Sequence, residues 1–225
     1  MRSQTDRRPP QRSDHRREAI LDALDTWLQE SSLDAINIAE ISKQAGVTRS
    51  AFYFYFENKG AAVAALMERM VDETLAVTET FTSAADSPRR RIYAMLDGLF
   101  AMRDRHRHLF KAMLEVRGSS ASVRDIWDGA RESFVESIAE LIRSDRAAGR
   151  AQDGLDADVL AAVLLEVNDR LLERLTLGGP LTRDQLMDGA AAIWLSSIYG
   201  ITDVSEHSAM SARAKSKRTQ ETETA

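Results

Sequence analysis

An all-α fold of about nine helices is predicted by three features of this sequence. Apolar residues recur at spacings of three and four along most of its 225 residues, as they do on the buried face of a helix. Only four prolines interrupt that pattern. No stretch alternates apolar and polar residues cleanly enough to make a strand candidate. One passage resists the simple reading. "GVTRSAFYFYFENK", residues 46–59, sets five aromatics, Phe52 to Phe56, in consecutive positions, and no helix can turn all five toward one core.

The elements follow in order. Residues 1–17 carry six arginines against two aspartates, a net charge of +4 on a chain whose formal charge is −5. A basic arm on an acidic body is one layout for nucleic-acid binding. Residues 1–15 are expected to form a disordered basic arm and residues 202–225 a disordered tail, because neither can bury enough apolar surface to order itself. The first helix runs from about Asp14 to Glu30, with Ile20, Leu24, Trp27 and Leu28 on its buried face. Asn37, with Glu40 three residues later, reads as a capping box opening a short second helix. That helix stops at Gly46, which tolerates the left-handed backbone of a tight turn. Thr48 is the expected N-cap of a third helix ending near Phe54.

Two short helices around a glycine-bearing turn make a helix-turn-helix, assigned to residues 16–60. Six longer helices then fill residues 61–201 as a larger bundle. Breaks fall at "SAADSP" (83–88), at 149–156 and at "GGP" (178–180), and the last helix ends at Gly200.

Within the aromatic run, Phe52 and Phe56 lie four apart and are the expected core. Phe54 is expected to pack against the first helix or the bundle. Thr48, Arg49, Ser50 and Tyr53 stand at the exposed start of the third helix, where hydroxyls and N–H groups can meet phosphate oxygens. Tyr55 suits a ring resting on the fold with its phenol toward a phosphate. Lys59 begins the next helix, where a cation opposes the helix dipole, and it is expected to meet a phosphate.

Composition excludes several classes. With no cysteine there is no disulfide, thiolate metal site or cysteine nucleophile, which fits a reducing cytoplasm. No apolar run reaches the roughly 18–20 residues of a membrane span, and no signal-peptide core precedes the body. His106 and His108 are two apart, point different ways on a helix, and are expected to be solvated. No Glu-x-x-His, phosphate-binding glycine loop or nucleophile elbow occurs. The chain reads as a non-enzyme without cofactor or metal. A helical ligand-binding or adaptor protein that binds no DNA is one reading of such a chain.

"INIAEISKQAGVTRSAFYFYF" followed by "ENKGAAVAAL" resembles the DNA-binding domain of the TetR family of transcriptional regulators, over about residues 16–66. The family's larger residue and acid after the lysine are replaced here by Gly60 and Ala62. "FYFYF", "VND" in the eighth helix and "AAIWLSSIYG" near the end are further similar to a subgroup, the mycobacterial EthR-type repressors. The resemblance implies a homodimer joined through its last two helices, binding double-stranded DNA at a palindromic operator. Half-sites would then lie ~34–36 Å apart or a multiple of that. It also makes residues 61–201 a ligand-binding and dimerisation domain, with a small hydrophobic effector held in the bundle by Ile92, Met95, Leu99, Met102, Trp127, Phe134, Ile138, Leu165, Asn168, Leu172 and Trp194. Several positions that are aromatic in the subgroup are aliphatic or charged here, Arg103 and Arg131 among them.

Overall fold

The computed structural model describes residues 12–78 and 87–202, and side chains within them over 15–71 and 87–202. Among the described residues all regular structure is helical: α1 (Arg12–Glu30), α2 (Ile38–Gln44), α3 (Arg49–Tyr55), α4 (Lys59–Thr78), α5 (Pro88–Arg105), α6 (Arg107–Val116), α7 (Ala121–Ala147), α8 (Ala157–Leu177) and α9 (Arg183–Tyr199). The expected arm reached residue 15, but α1 already begins at Arg12. The rest of the arm and the tail beyond residue 202 lie outside the described residues.

Two compact units result. One comprises the described chain up to Ala76 with His106–Ala130, the other Val77–Arg105 with the described chain from Arg131 on. The first therefore holds residues 16–60 and also most of α4, with α6 and the start of α7. Its core is Ile20, Leu24, Ile41 and Phe52, all without exposed surface, so the predicted face of α1 does meet the helix-turn-helix. Trp27 of that face is only half-buried.

Local chemistry sets the helix ends in this unit. Asn37 Oδ1 accepts from the Ala39 N–H at 2.9 Å while Glu40 Oε2 accepts from the Asn37 N–H at 3.3 Å, completing the capping box. Gly46 takes φ 65°, which lets the Val47 N–H return to the Ser42 carbonyl at 2.9 Å and end α2. Thr48 Oγ1 accepts from the Ala51 N–H at 3.1 Å and opens α3. The small residues after Lys59 also find a reason. Ala62 is fully buried, and a Cβ added to Gly60 would meet Asn58 Oδ1 at 3.0 Å and Ser120 Oγ at 3.5 Å. A larger side chain would crowd both the N-cap of α4 and the turn before α7.

The second unit is organised around a buried carboxylate. Asp145, on α7, has a side chain 1% exposed. Its Oδ2 accepts from Arg91 NH2 of α5 at 2.5 Å and from the Tyr199 hydroxyl of α9 at 2.7 Å. Its Oδ1 accepts from Arg150 NH2 at 2.6 Å and Nε at 2.9 Å. Three helices and the α7–α8 loop thus converge on one side chain. Burial alone would raise the Asp145 carboxyl, but the hydrogen bonds from Arg91, Tyr199 and Arg150 prevail and hold it below the usual carboxylate range. The same burial, with the Asp145 hydrogen bond, pushes the Tyr199 phenol up.

Asp145→Ala leaves Arg91 buried without its counterion, and is expected to cost about 3–5 kcal/mol in urea unfolding. Because the native carboxyl is depressed, its contribution is present above the unfolded value of about 3.9 and is lost as pH falls through the native one. Asp145→Asn should therefore flatten the acid side of the stability profile.

Candidate nucleic-acid interface and effector cavity

The outward face of α3 gathers most of the residues expected there. Thr48, Arg49 and Ser50 are exposed, Tyr53 is exposed and Tyr55 is half-buried. Arg49 NH2 donates to the Tyr53 hydroxyl at 3.3 Å, and its guanidinium carbon lies 5.7 Å from the Tyr53 ring centroid. The two side chains act as one planar, cationic surface beside the helix start. Beneath them Phe52 and Phe56 are buried with centroids 5.7 Å apart, and Arg17 of α1 lies 5.6 Å from the Phe56 ring.

Two residues stand elsewhere than expected. Phe54 packs against neither α1 nor the bundle: it is 80% exposed. It falls on the side of α3 away from Phe52, so helical geometry turns it outward. Lys59 is the second. Its ammonium donates to the carbonyls of Leu33 at 2.5 Å, Ile36 at 2.9 Å and Asp34 at 3.3 Å. Three donors meet three acceptors, so the dipole penalty at the start of α4 is met by backbone carbonyls rather than by a phosphate.

The loop between α1 and α2 is gripped from its other side as well. Glu115 Oε2, on α6, accepts from the Leu33 N–H at 3.1 Å. No sequence pattern announces this contact, because Glu115 lies 82 residues from its partner and looks like any exposed glutamate. His108 is likewise not solvated. Its Nε2 lies 2.9 Å from Asp25 Oδ1, tying α6 to α1, and that hydrogen bond holds the Asp25 carboxyl below its ordinary value against the opposing effect of burial. Beside it lies an open groove of about 410 Å³, lined by Leu28 to Leu33 and by Arg107, His108, Lys111, Ala112 and Glu115. Nothing in the sequence pointed to it.

The expected effector residues are mostly in the second unit. Ile92, Leu172 and Trp194 are buried, while Met95, Leu99, Met102, Phe134, Ile138 and Leu165 are half-buried. Trp127 is in the first unit instead, its ring edge-on to Phe110 with centroids 5.4 Å apart. Asn168 is 3% exposed, and its Oδ1 accepts from the Trp194 indole N–H at 3.1 Å. That bond satisfies two polar groups that would otherwise be costly among leucines and valines. The two unexpected arginines fill this region with paired charge. Arg103 donates to Leu175 O at 2.6 Å, Asp104 Oδ1 at 2.7 Å and Thr176 Oγ1 at 3.1 Å. Arg131 pairs with Asp169 at 3.1 Å and Glu166 at 3.2 Å.

Comparisons with known proteins agree with this layout. Residues 20–66 match the family model for bacterial regulatory proteins of the tetR family, and residues 92–200 match that for the C-terminal domain of the transcriptional regulator EthR. The chain is 28% identical over 191 residues to the HTH-type transcriptional regulator EthR of Mycobacterium tuberculosis (strain H37Rv), covering 83% of this chain and 88% of that protein. It is 29% identical over 197 residues to EthR of Mycolicibacterium smegmatis, covering 85% and 89%. Among solved structures, a transcriptional regulator from Rhodococcus sp. Rha1 superimposes with a TM-score of 0.63 at 22% identity, covering 81% of this chain and 97% of that one. The regulator FadR from Bacillus subtilis, solved with stearoyl-CoA, does so with a TM-score of 0.62 at 18% identity, covering 82% and 98%. No helix among the described residues is long and apolar enough to cross a membrane.

Lys59→Met is expected to remove the ammonium from the buried Ile36 carbonyl and leave the Leu33 carbonyl only the Ile36 N–H at 3.3 Å, at a cost of about 1–3 kcal/mol in thermal or urea unfolding. Unchanged stability, with only DNA affinity reduced, would return Lys59 to a phosphate.

Proposed function

Since the chain belongs to the TetR family of transcriptional regulators, we propose that it is a cytoplasmic repressor. It binds a palindromic operator as a homodimer and is released by a small, largely apolar ligand. The observation that carries this reading is the outward face of α3. Hydroxyl, guanidinium and phenol groups cluster there over a locked aromatic core, on a helix whose capped start is free to meet DNA.

Arg49 is the base-edge reader, since a guanidinium pairs bidentately with guanine in the major groove. Thr48, Ser50, Tyr53 and Tyr55 set its register on the phosphates. Lys59 supports that surface from beneath.

Dimerisation runs through α8 and α9. Leu186, Ala190, Ile193 and Ser197 share one apolar stripe of α9, but Leu186 and Ala190 are buried within the subunit. Val159, Val163 and Leu177 on α8 and Ile193 on α9 are exposed and apolar, and Gly189 offers a flat place for a partner helix. In a dimer these positions leave water.

The ligand site lies among α5, α7, α8 and α9. Half-buried Met95, Met102, Phe134 and Leu165 make a deformable apolar wall. The Asn168 amide, its oxygen held by Trp194, presents N–H groups to a ligand carbonyl. Binding releases DNA by favouring a different separation of the two recognition helices, with a coupling of about 1–3 kcal/mol.

Selection from random double-stranded DNA tests the reading. The full-length protein should enrich a two-fold symmetric sequence, and enrichment of none would refute it. Arg49→Ala should relax preference at one position per half-site by about 1–3 kcal/mol.

Asn168→Leu alone would strand the Trp194 indole, so the informative variant is Asn168→Leu with Trp194→Phe, which removes donor and acceptor together. It should bind operator normally without ligand and lose its response to effectors with a carbonyl head. A normal response would take Asn168 out of the site.

A further inference from the structure

Of the five consecutive aromatics, four have roles already described: Phe52 and Phe56 in the core, Tyr53 beside Arg49, and Tyr55 half-buried at the end of α3. Phe54 has none. At 80% exposure it is the most exposed large apolar side chain among the described residues. At about 100° per residue, Phe54 lies roughly 200° around the helix from Phe52 and Ser50 roughly 160°, so these two face directly away from the core. The ring is held in place, because Tyr55 meets it edge-on with centroids 5.0 Å apart and planes at 90°.

We propose that Phe54 is a sequence-determining residue of the DNA interface, and that it reads the C5-methyl group of a thymine in the major groove. This rests on the assignment of α3 as the DNA-reading helix. A phenylalanine ring has neither donor nor acceptor, so phosphate oxygens and the polar base edges offer it no partner. The thymine methyl is the one apolar group the major groove displays. The surroundings narrow the choice further. The other exposed residues of this stretch, Arg49, Ser50, Tyr53, Glu57 and Asn58, all carry polar groups. One ring rimmed by polar groups matches a single methyl among base edges and phosphates. A protein-docking surface would present a contiguous apolar patch instead. Arg49 and Phe54 thus divide the reading: one takes a guanine edge, the other distinguishes thymine from cytosine.

The test uses the full-length protein and the sequence enriched by the selection above. Each thymine is replaced in turn by deoxyuridine, which deletes only the methyl and keeps base pairing and the O4 acceptor. One thymine per half-site is expected to matter, its replacement weakening wild-type binding by about three- to fivefold, as burial of one methyl-sized group implies, and by about tenfold or more when both half-sites are changed. Phe54→Ala should bind the parent sequence more weakly, keep the wild-type melting temperature because the ring is exposed, and be indifferent to deoxyuridine at that position. Phe54→Leu should retain part of the methyl effect.

Wild-type binding that ignores every deoxyuridine overturns the proposal, as does a Phe54→Ala variant that loses the same factor as wild type. An enriched sequence without thymine overturns it too, while leaving α3 as the DNA-reading helix. Failure to enrich any sequence removes both the proposal and the reading it rests on.

Discussion

The helix-turn-helix leans first on one ammonium group. Lys59 directs its three N–H donors at the carbonyls of Leu33, Asp34 and Ile36, in the loop from which α2 and α3 emerge. Carbonyls in a tight loop cannot all find backbone partners, and Leu33 and Ile36 are too buried to be solvated. A flexible four-carbon stem ending in a compact cation can reach three of them at once, whereas a planar guanidinium would suit such a convergent set poorly. Glu115 holds the Leu33 N–H from the opposite side, and His108 with Asp25 adds a second tie between α6 and α1. The placement of α3 is therefore set by α4 and α6 as much as by its own turn, and these elements share one compact unit with it.

The second unit solves a different problem by similar means. Its core contains Asp145, Asn168, Thr176, Arg91 and Arg103, all buried and polar. Several of their hydrogen bonds cross between helices: Arg91 and Tyr199 to Asp145, Trp194 to Asn168, and Arg103 to the last turn of α8, while Thr176 also donates to Leu172 O within α8. Apolar packing alone would tolerate many registers of four amphipathic helices. Directional bonds in a low-dielectric interior discriminate among those registers, at the cost of desolvating the charges. Arg103 shows the consequence for a ligand site. It occupies a position expected to be aromatic in the resembled subgroup, and its charge is consumed by the end of α8, so the surrounding walls stay largely apolar.

Much of this was legible in the sequence where the signal is local. The capping box at Asn37, the left-handed Gly46, the Thr48 cap and the Phe52–Phe56 core all follow from residues within a few positions of one another. The exposure of Phe54 was implicit in the same periodicity, since a run of five cannot share one face. Long-range polar pairs were not legible. Glu115 with Leu33, His108 with Asp25 and Arg91 with Asp145 join residues 54 to 83 positions apart, and no spacing rule connects them. The same limit explains Lys59, assigned to phosphate on the helix dipole alone, and Trp127, which periodicity places on a buried face without saying which core it joins.

Hydrogen exchange of the full-length protein, free and bound to DNA, tests the central claim most directly: α3 is the surface that meets DNA, on a scaffold formed before DNA arrives. Amides in residues 46–56 should gain protection on binding, while those in the Leu33–Ile36 loop and around Asp145 should be slow to exchange already in the free protein. Protection confined to α8 and α9, with residues 46–56 unchanged, would contradict the account.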